Sequence, residues 1–179
     1  MDFKEVLIDQ LKKVVEFLNQ QKVDYALAGG LAFSGLVVPR ATMDIDILLL
    51  IQETDVPNLI DSLKKFFDKI IPHKKAMELS FFKIWRVVSV VDDKDIIIDF
   101  LLVNSEFLEN VIRRAIKINF KEIELKVITL EDLILLKSSS KRSQDIADLE
   151  VIYNNLYEEI DQDYLKLWAK KLKIHVQRQ

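Results

Sequence analysis

Asp44 and Asp46 stand two residues apart in MDIDILLL, an otherwise apolar run. In an extended chain that spacing puts both carboxylates on one face, roughly 6.5–7 Å apart along the strand. Two like charges so placed raise each other's proton affinity unless something positive lies between them. Magnesium answers that need, because it takes hard oxygen ligands and keeps positions open for waters and phosphates. A third acid, Asp99, interrupts the run IIIDFLLV. A buried lone carboxylate is costly unless paired or bound to metal. If its strand lies beside that of Asp44 and Asp46, the three acids converge on one patch, the ligand set of a two-metal phosphoryl-transfer site. The competing accounts are an ion pair between Asp99 and Arg86, and a half-exposed edge strand that turns Asp44 and Asp46 to water.

Upstream, Gly29-Gly30 lies between a short strand over 24–28 and a helix over 31–38 that Pro39 ends. A strand ending in glycines at a helix N-terminus exposes backbone N–H groups where a phosphate can approach closely. Neither the spaced glycines of a dinucleotide fingerprint nor the Gly-Lys-Ser/Thr of a P-loop is present, so the pair gains its weight from preceding Asp44.

The elements that must position these residues can be read from periodicity. Leu7, Leu11, Val14 and Leu18 form the stripe of an amphipathic helix over 3–21. The acids' strand spans 43–51, and a helix over 55–70 follows, with Asp55 as N-cap and Pro57 in its first turn. Strands over 79–91 and 95–103 are joined by Asp92-Asp93-Lys94 as a hairpin. A helix from Asn104 or Ser105 to about residue 117 and a short strand pair over 118–128 come next. From Thr129, a cap with Asp132 three places on, the chain is helical over 130–139, 143–158 and 161–175. The expected fold is α/β (α+β): a mixed, twisted sheet flanked by helices over 1–128, with a helical C-terminal segment, 129–179, packed on it.

The order Gly29-Gly30, Arg40, Thr42, Asp44, Ile45, Asp46, with Asp99 on a later strand, resembles the nucleotidyltransferase superfamily that includes DNA polymerase beta and the antibiotic nucleotidyltransferases. The form Arg-x-Thr-x-Asp-Ile-Asp, followed by KSSSKRSQDIADL at 137–149, is most similar to the abortive-infection toxin nucleotidyltransferases of the AbiEii type. One departure stands out: the family's first motif often has Gly-Ser, whereas Gly30 leaves only backbone donors, with Ser34 a turn away. The resemblance implies that Asp44, Asp46 and Asp99 hold Mg²⁺ or Mn²⁺ and catalyse transfer of a nucleoside monophosphate from a nucleoside triphosphate to a hydroxyl. Gly29, Gly30, Ser34, Arg40, Thr42, Lys137 and Lys141 would bind the nucleotide. The acceptor it implies is an RNA 3′ end such as transfer RNA, a protein hydroxyl or a small molecule, with an antitoxin as partner. The reading of another class is a nucleotide- or RNA-binding module that keeps the fold without turnover.

Composition narrows the rest. Of 179 residues half are hydrophobic, with three glycines and three prolines, so one substantial core can form. With no cysteine, thiolate catalysis and cysteine-ligated zinc are excluded, and His73 and His175 are too far apart in sequence to make a zinc site alone. No window of about 18 uncharged apolar residues appears and the N-terminus is acidic and amphipathic, so a cytoplasmic protein without a membrane partner is expected. The net charge of −3 gives no general affinity for nucleic acid, although Lys166, Lys170, Lys171, Lys173 and Arg178 form a local basic cluster.

Overall fold

Alternation along the strands decides the architecture. In β2, every second residue (Ile45, Ile47, Leu49) is fully buried, while Asp44 and Asp46 on the other face keep partial exposure. A computed structural model describes residues 2–79, 82–121, 123–140 and 142–176. In chain order they form α1 (Phe3–Gln20), β1 (Tyr25–Leu27), α2 (Gly29–Leu36), β2 (Asp44–Leu49), α3 (Val56–Phe66), β3 (Ile70–Pro72), β4 (Met77–Glu78), β5 (Lys83–Val91) and β6 (Lys94–Leu102). Then follow α4 (Glu106–Arg114), β7 (Ile116–Phe120), β8 (Ile123–Val127), α5 (Leu130–Ser138), α6 (Ser143–Asn155) and α7 (Gln162–Leu172).

The sheet order is β3-β5-β6-β2-β1-β8-β7, with β4 also on β5. It is mixed, because β2 and β6, and β1 and β8, run parallel while the other neighbours are antiparallel. Asp92 and Asp93 close the β5–β6 hairpin with φ of 47° and 58°, the left-handed pair that a two-residue turn needs. One sheet face carries Ile45, Ile47, Ile96, Ile98, Phe100 and Val87 into the core. Helix α1 lies on that side, where the buried Ser89 hydroxyl donates to Gln10 (2.7 Å). Its N-terminus is closed by Asp2 and Glu5 in a reciprocal capping box.

The helices of the C-terminal part start as expected, with the Thr129 side chain accepting from the Asp132 N–H (3.3 Å). Several expected boundaries shift, with α2 over Gly29–Leu36 rather than 31–38 and α6 ending at Asn155 rather than 158. The helix after β2 begins at Val56 without a side-chain bond from Asp55. It ends at Phe66 rather than 70, because Ile70–Pro72 pairs with β5. The helix from Ser105 stops at Arg114, since residue 116 already pairs with β8. At these two C-terminal ends pairing to a neighbouring strand outweighs local helical preference. No helix among the described residues is long and apolar enough to cross a membrane.

Candidate active site

One row of backbone hydrogen bonds across the sheet assembles the site. The N–H of Ala28, just past β1, donates to the carbonyl of Asp46 (2.8 Å). Asp46 is in register with Asp99 on β6, and Asp99 with Arg86 on β5. Side chains directly opposite in neighbouring strands share a face, and alternation adds Asp44 to it. The three acids therefore share one face of the sheet, because β2 and β6 are neighbours, the condition the sequence left open.

The two glycines are fixed by these neighbours. Gly29 has φ +61°, and a Cβ there would stand 1.8 Å from Oδ2 of Asp46. At Gly30 a Cβ would fall 2.5 Å from Oγ1 of Thr42. Only a bare backbone lets α2 begin against the carboxylate, and its first turn has no side-chain cap, leaving N–H groups for an anion. Thr42 donates its hydroxyl to Oδ1 of Asp44 (2.8 Å) and so orients that acid. Ser34 bonds the backbone N–H and carbonyl of Arg40 (3.3 and 3.2 Å) and holds the loop between α2 and β2.

Asp99 is 3 % exposed and takes both donors of a bidentate ion pair from Arg86, Nε to Oδ1 at 2.7 Å and Nη2 to Oδ2 at 2.6 Å. The ion pair and the shared acid patch are thus both present. Asp46 is pushed up to about 7, by burial first and then by Asp44 and Asp99, against the opposing pull of Arg142 and Lys137. The hydrogen bond to Asp99 holds the Arg86 guanidinium above its ordinary value, with Asp44 and Asp46 adding to the effect.

Facing the acids is a wall of cations from the helical part. Buried Lys137 donates to Asp145 (2.9 Å) and Asp148 (2.6 Å). Arg40 reaches across from the loop to Asp148 (2.9 Å) and stacks over Phe33. Arg142 donates to Asp145 (2.6 Å) while its side chain stays 75 % exposed. Burial raises Asp145, but hydrogen bonds from Lys137, Ser140 and Arg142 outweigh it and hold that carboxyl below its usual range. Arg142 is raised, first by its bond to Asp145, then by the fields of Asp46 and Asp44.

Of the residues expected at the site, Asp44, Asp46, Asp99, Gly29, Gly30 and Thr42 come together directly. Arg40, Ser34 and Lys137 border them and bond the protein itself, although the buried Nε of Arg40 has no partner. Lys141 lies outside the described residues. Arg142 was not singled out from the sequence as a ligand group. Its place two residues after the serine run, at the start of α6, was the available signal. Among the described residues no three His, Asp or Glu side chains are arranged to hold a metal ion as they stand. The donor set nevertheless suits one hard cation, since Asp44 and Asp46 are crowded carboxylates with uncompensated charge, and magnesium needs only one or two of these plus phosphate oxygens.

The chain belongs to the family described as nucleotidyl transferase of unknown function (DUF2204), which it matches over residues 7–178. Among solved structures it is similar to TM1012 of Thermotoga maritima, whose nucleotidyltransferase assignment is itself provisional, at 15 % identity and TM-score 0.54, covering 96 % of both chains. The antibiotic-resistance factor ANT(2″)-Ia is similar at 12 % identity and TM-score 0.57, over 97 % of this chain and 95 % of that one. The lincosamide adenylyltransferase LnuA, in its lincomycin-bound form, is similar at 18 % identity and TM-score 0.52, over 80 % of this chain and 94 % of its own. Identities this low establish a shared fold: the mixed sheet flanked by helices is the nucleotidyltransferase fold. No curated protein sequence matches the chain.

Proposed function

We propose that the protein transfers a nucleoside monophosphate from a nucleoside triphosphate to a hydroxyl acceptor. The observation that carries this reading is the sharing of one sheet face by Asp44, Asp46 and Asp99 against Gly29-Gly30, with Asp46 pushed up to about 7 by burial and its two neighbours. Family membership supports transferase chemistry in general.

Asp44 and Asp46 would hold a Mg²⁺ or Mn²⁺ ion. Such an ion supplies charge stabilisation on phosphate oxygens that neither carboxylate can. The chain's own residues do the remaining work. Thr42 keeps Asp44 aimed, the start of α2 offers backbone donors to a phosphate, and Arg142 neutralises the triphosphate from the opposite wall. Asp99, with lone pairs left beyond the two that Arg86 uses, accepts the proton of the attacking hydroxyl. The oxygen bonds to the α-phosphorus, the bond from that phosphorus to the β-phosphate bridge breaks, and pyrophosphate leaves with its electron pair.

The finer resemblance, to abortive-infection toxins, makes an RNA 3′ end (transfer RNA first) or a protein hydroxyl the acceptors to try before a small molecule, and an antitoxin the partner to seek. The experiment is incubation with each labelled nucleoside triphosphate, Mg²⁺ or Mn²⁺, and total RNA or lysate protein, for the parent and for Asp46→Ala. Label on an acceptor that disappears in the variant and with chelator is the expected result. Equal labelling by both proteins contradicts the assignment, and nucleotide binding without labelling favours a binding module.

A further inference from the structure

In the two-ion site that the resemblance implies, the third acid completes the ligands of one ion, yet here Asp99 already has a resident cation. Arg86 lies directly opposite it in the β5–β6 register and engages both its oxygens. The pair is held rigidly. Asp99 is nearly inaccessible and Arg86 one third exposed, and both sit within regular strands whose backbone bonds are made to neighbours on each side. A guanidinium matches a carboxylate in shape and cannot lose its proton in a protein, so its charge stays at that place throughout. A second divalent ion on Asp99 would have to share the carboxylate with that charge or expel it from a fork of two short bonds. Among the described residues Asp44 and Asp46 have no such arginine: Asp44 accepts from the neutral Thr42, and the cations opposite Asp46 are tied to Asp145 and Asp148.

We infer that Arg86 takes the electrostatic place of a second metal ion, so that each chain binds a single divalent cation, on Asp44 and Asp46, and Asp99 serves the acceptor hydroxyl without ligating metal. This rests on the nucleotidyl-transfer reading above and departs from the three-acid ligand set that the resemblance implies. Arg86 is then a positioning residue: it fixes the orientation and charge of Asp99 and touches the reaction only through it.

The test counts ions. Calorimetric or paramagnetic titration of the whole chain with Mn²⁺, in the presence of non-hydrolysable α,β-methylene analogues of the four nucleoside triphosphates, is expected to give one ion per chain, unchanged in Asp99→Asn and lost in Asp46→Asn. Two ions per chain, falling to one in Asp99→Asn, would overturn the inference while leaving nucleotidyl transfer intact. Failure of every analogue and of Mn²⁺ to bind would instead reject the nucleotidyl-transfer reading. Kinetics supply the second readout. Arg86→Met is expected to lower kcat about 100-fold or more with little change in KM for the triphosphate, and Arg86→Lys to recover part of it, since a lysine restores charge without the fork. Turnover of Arg86→Met near the parent's would refute the role. Should Arg86→Met fail to fold, the ion count on parent and Asp99→Asn decides the matter without it.

Discussion

Two polar clusters in this protein contain buried carboxylates and an arginine, and they are built differently. In the helical part, Asp132 is fully buried. It accepts from the Thr129 hydroxyl (2.9 Å) and the Tyr164 hydroxyl (2.6 Å), with Arg114 3.6 Å away. Arg114 also pairs with Glu131 (3.1 Å) and stacks on the Tyr164 ring, and Asn110 donates to the Tyr164 hydroxyl. Each carboxylate there has its partners, and the cluster pins α4, α5 and α7 together. On the sheet, three carboxylates share one arginine, so negative charge is left over. Opposite it, among the described residues, Arg40, Lys137 and Arg142 form their ion pairs with Asp145 and Asp148, so positive charge is left over. In the helical cluster, with only the buried Arg114 Nε lacking a hydrogen-bond partner among the groups described above, such a network specifies packing. On the proposed reading, two walls with opposite surpluses would hold a cation and a polyphosphate between them.

That contrast is broken most severely at Asp46. Asp46→Ala should reduce nucleotidyl transfer by about 10³-fold, the scale seen when a preorganised charge is removed, with the fold retained by circular dichroism. Gly29→Ala comes next. Its φ of +61° and the carboxylate 1.8 Å from a new Cβ should cost roughly 2–3 kcal/mol of stability in chemical denaturation and remove most activity by displacing Asp46. Arg142→Ala should raise KM for the triphosphate about tenfold, because one exposed charge-assisted contact is lost, leaving kcat within a few-fold.

How far this site could be read from sequence follows the same division. Asp44, Asp46 and Asp99 were legible because a charge inside an apolar run has few structural uses, and Gly29-Gly30 because the acids follow it. Their meeting was conditional on β2 lying beside β6, which periodicity does not reveal. Arg86 was legible only as an ion-pair partner, since one arginine in a strand says nothing of what else its carboxylate does. Asp145 and Asp148 look like ordinary N-terminal helix acids; only the tertiary contact brings Lys137 and Arg40 onto Asp148 across 11 and 108 residues. The short strands β3 and β4 were missed because Pro72 and the lysines between them resemble a loop, and their pairing is supplied by β5.

A smaller effect separates charge from chemistry. Asp46 is pushed up to about 7 from an ordinary 3.8. The folded state therefore binds the proton more tightly than the unfolded chain, and stability falls as pH rises from about 4 to about 7. At ~1.4 kcal/mol for each pKa unit the ceiling is about 4 kcal/mol. Because the shift is shared with the coupled carboxylates of Asp44 and Asp99, roughly 1–2 kcal/mol of it is expected to register as stability. Metal-free Asp46→Asn should accordingly be more stable than the parent at pH 8 and indistinguishable from it at pH 4, by urea denaturation. The least effect on function is expected at Tyr164→Phe, which should cost about 1–2 kcal/mol of stability through the bond lost to Asp132 and leave turnover unchanged, marking that cluster as structural.

If the acidic sheet face and the cationic helices act together as proposed, a triphosphate is cleaved at its α-phosphorus. Parallel reactions with nucleoside triphosphate labelled at the α- or the γ-phosphate, using parent and Asp46→Asn, test it most directly. Expected are α-label on the acceptor, γ-label in released pyrophosphate, and neither with the variant. Appearance of γ-label on the acceptor, or α-label transferred equally by the variant, would contradict it.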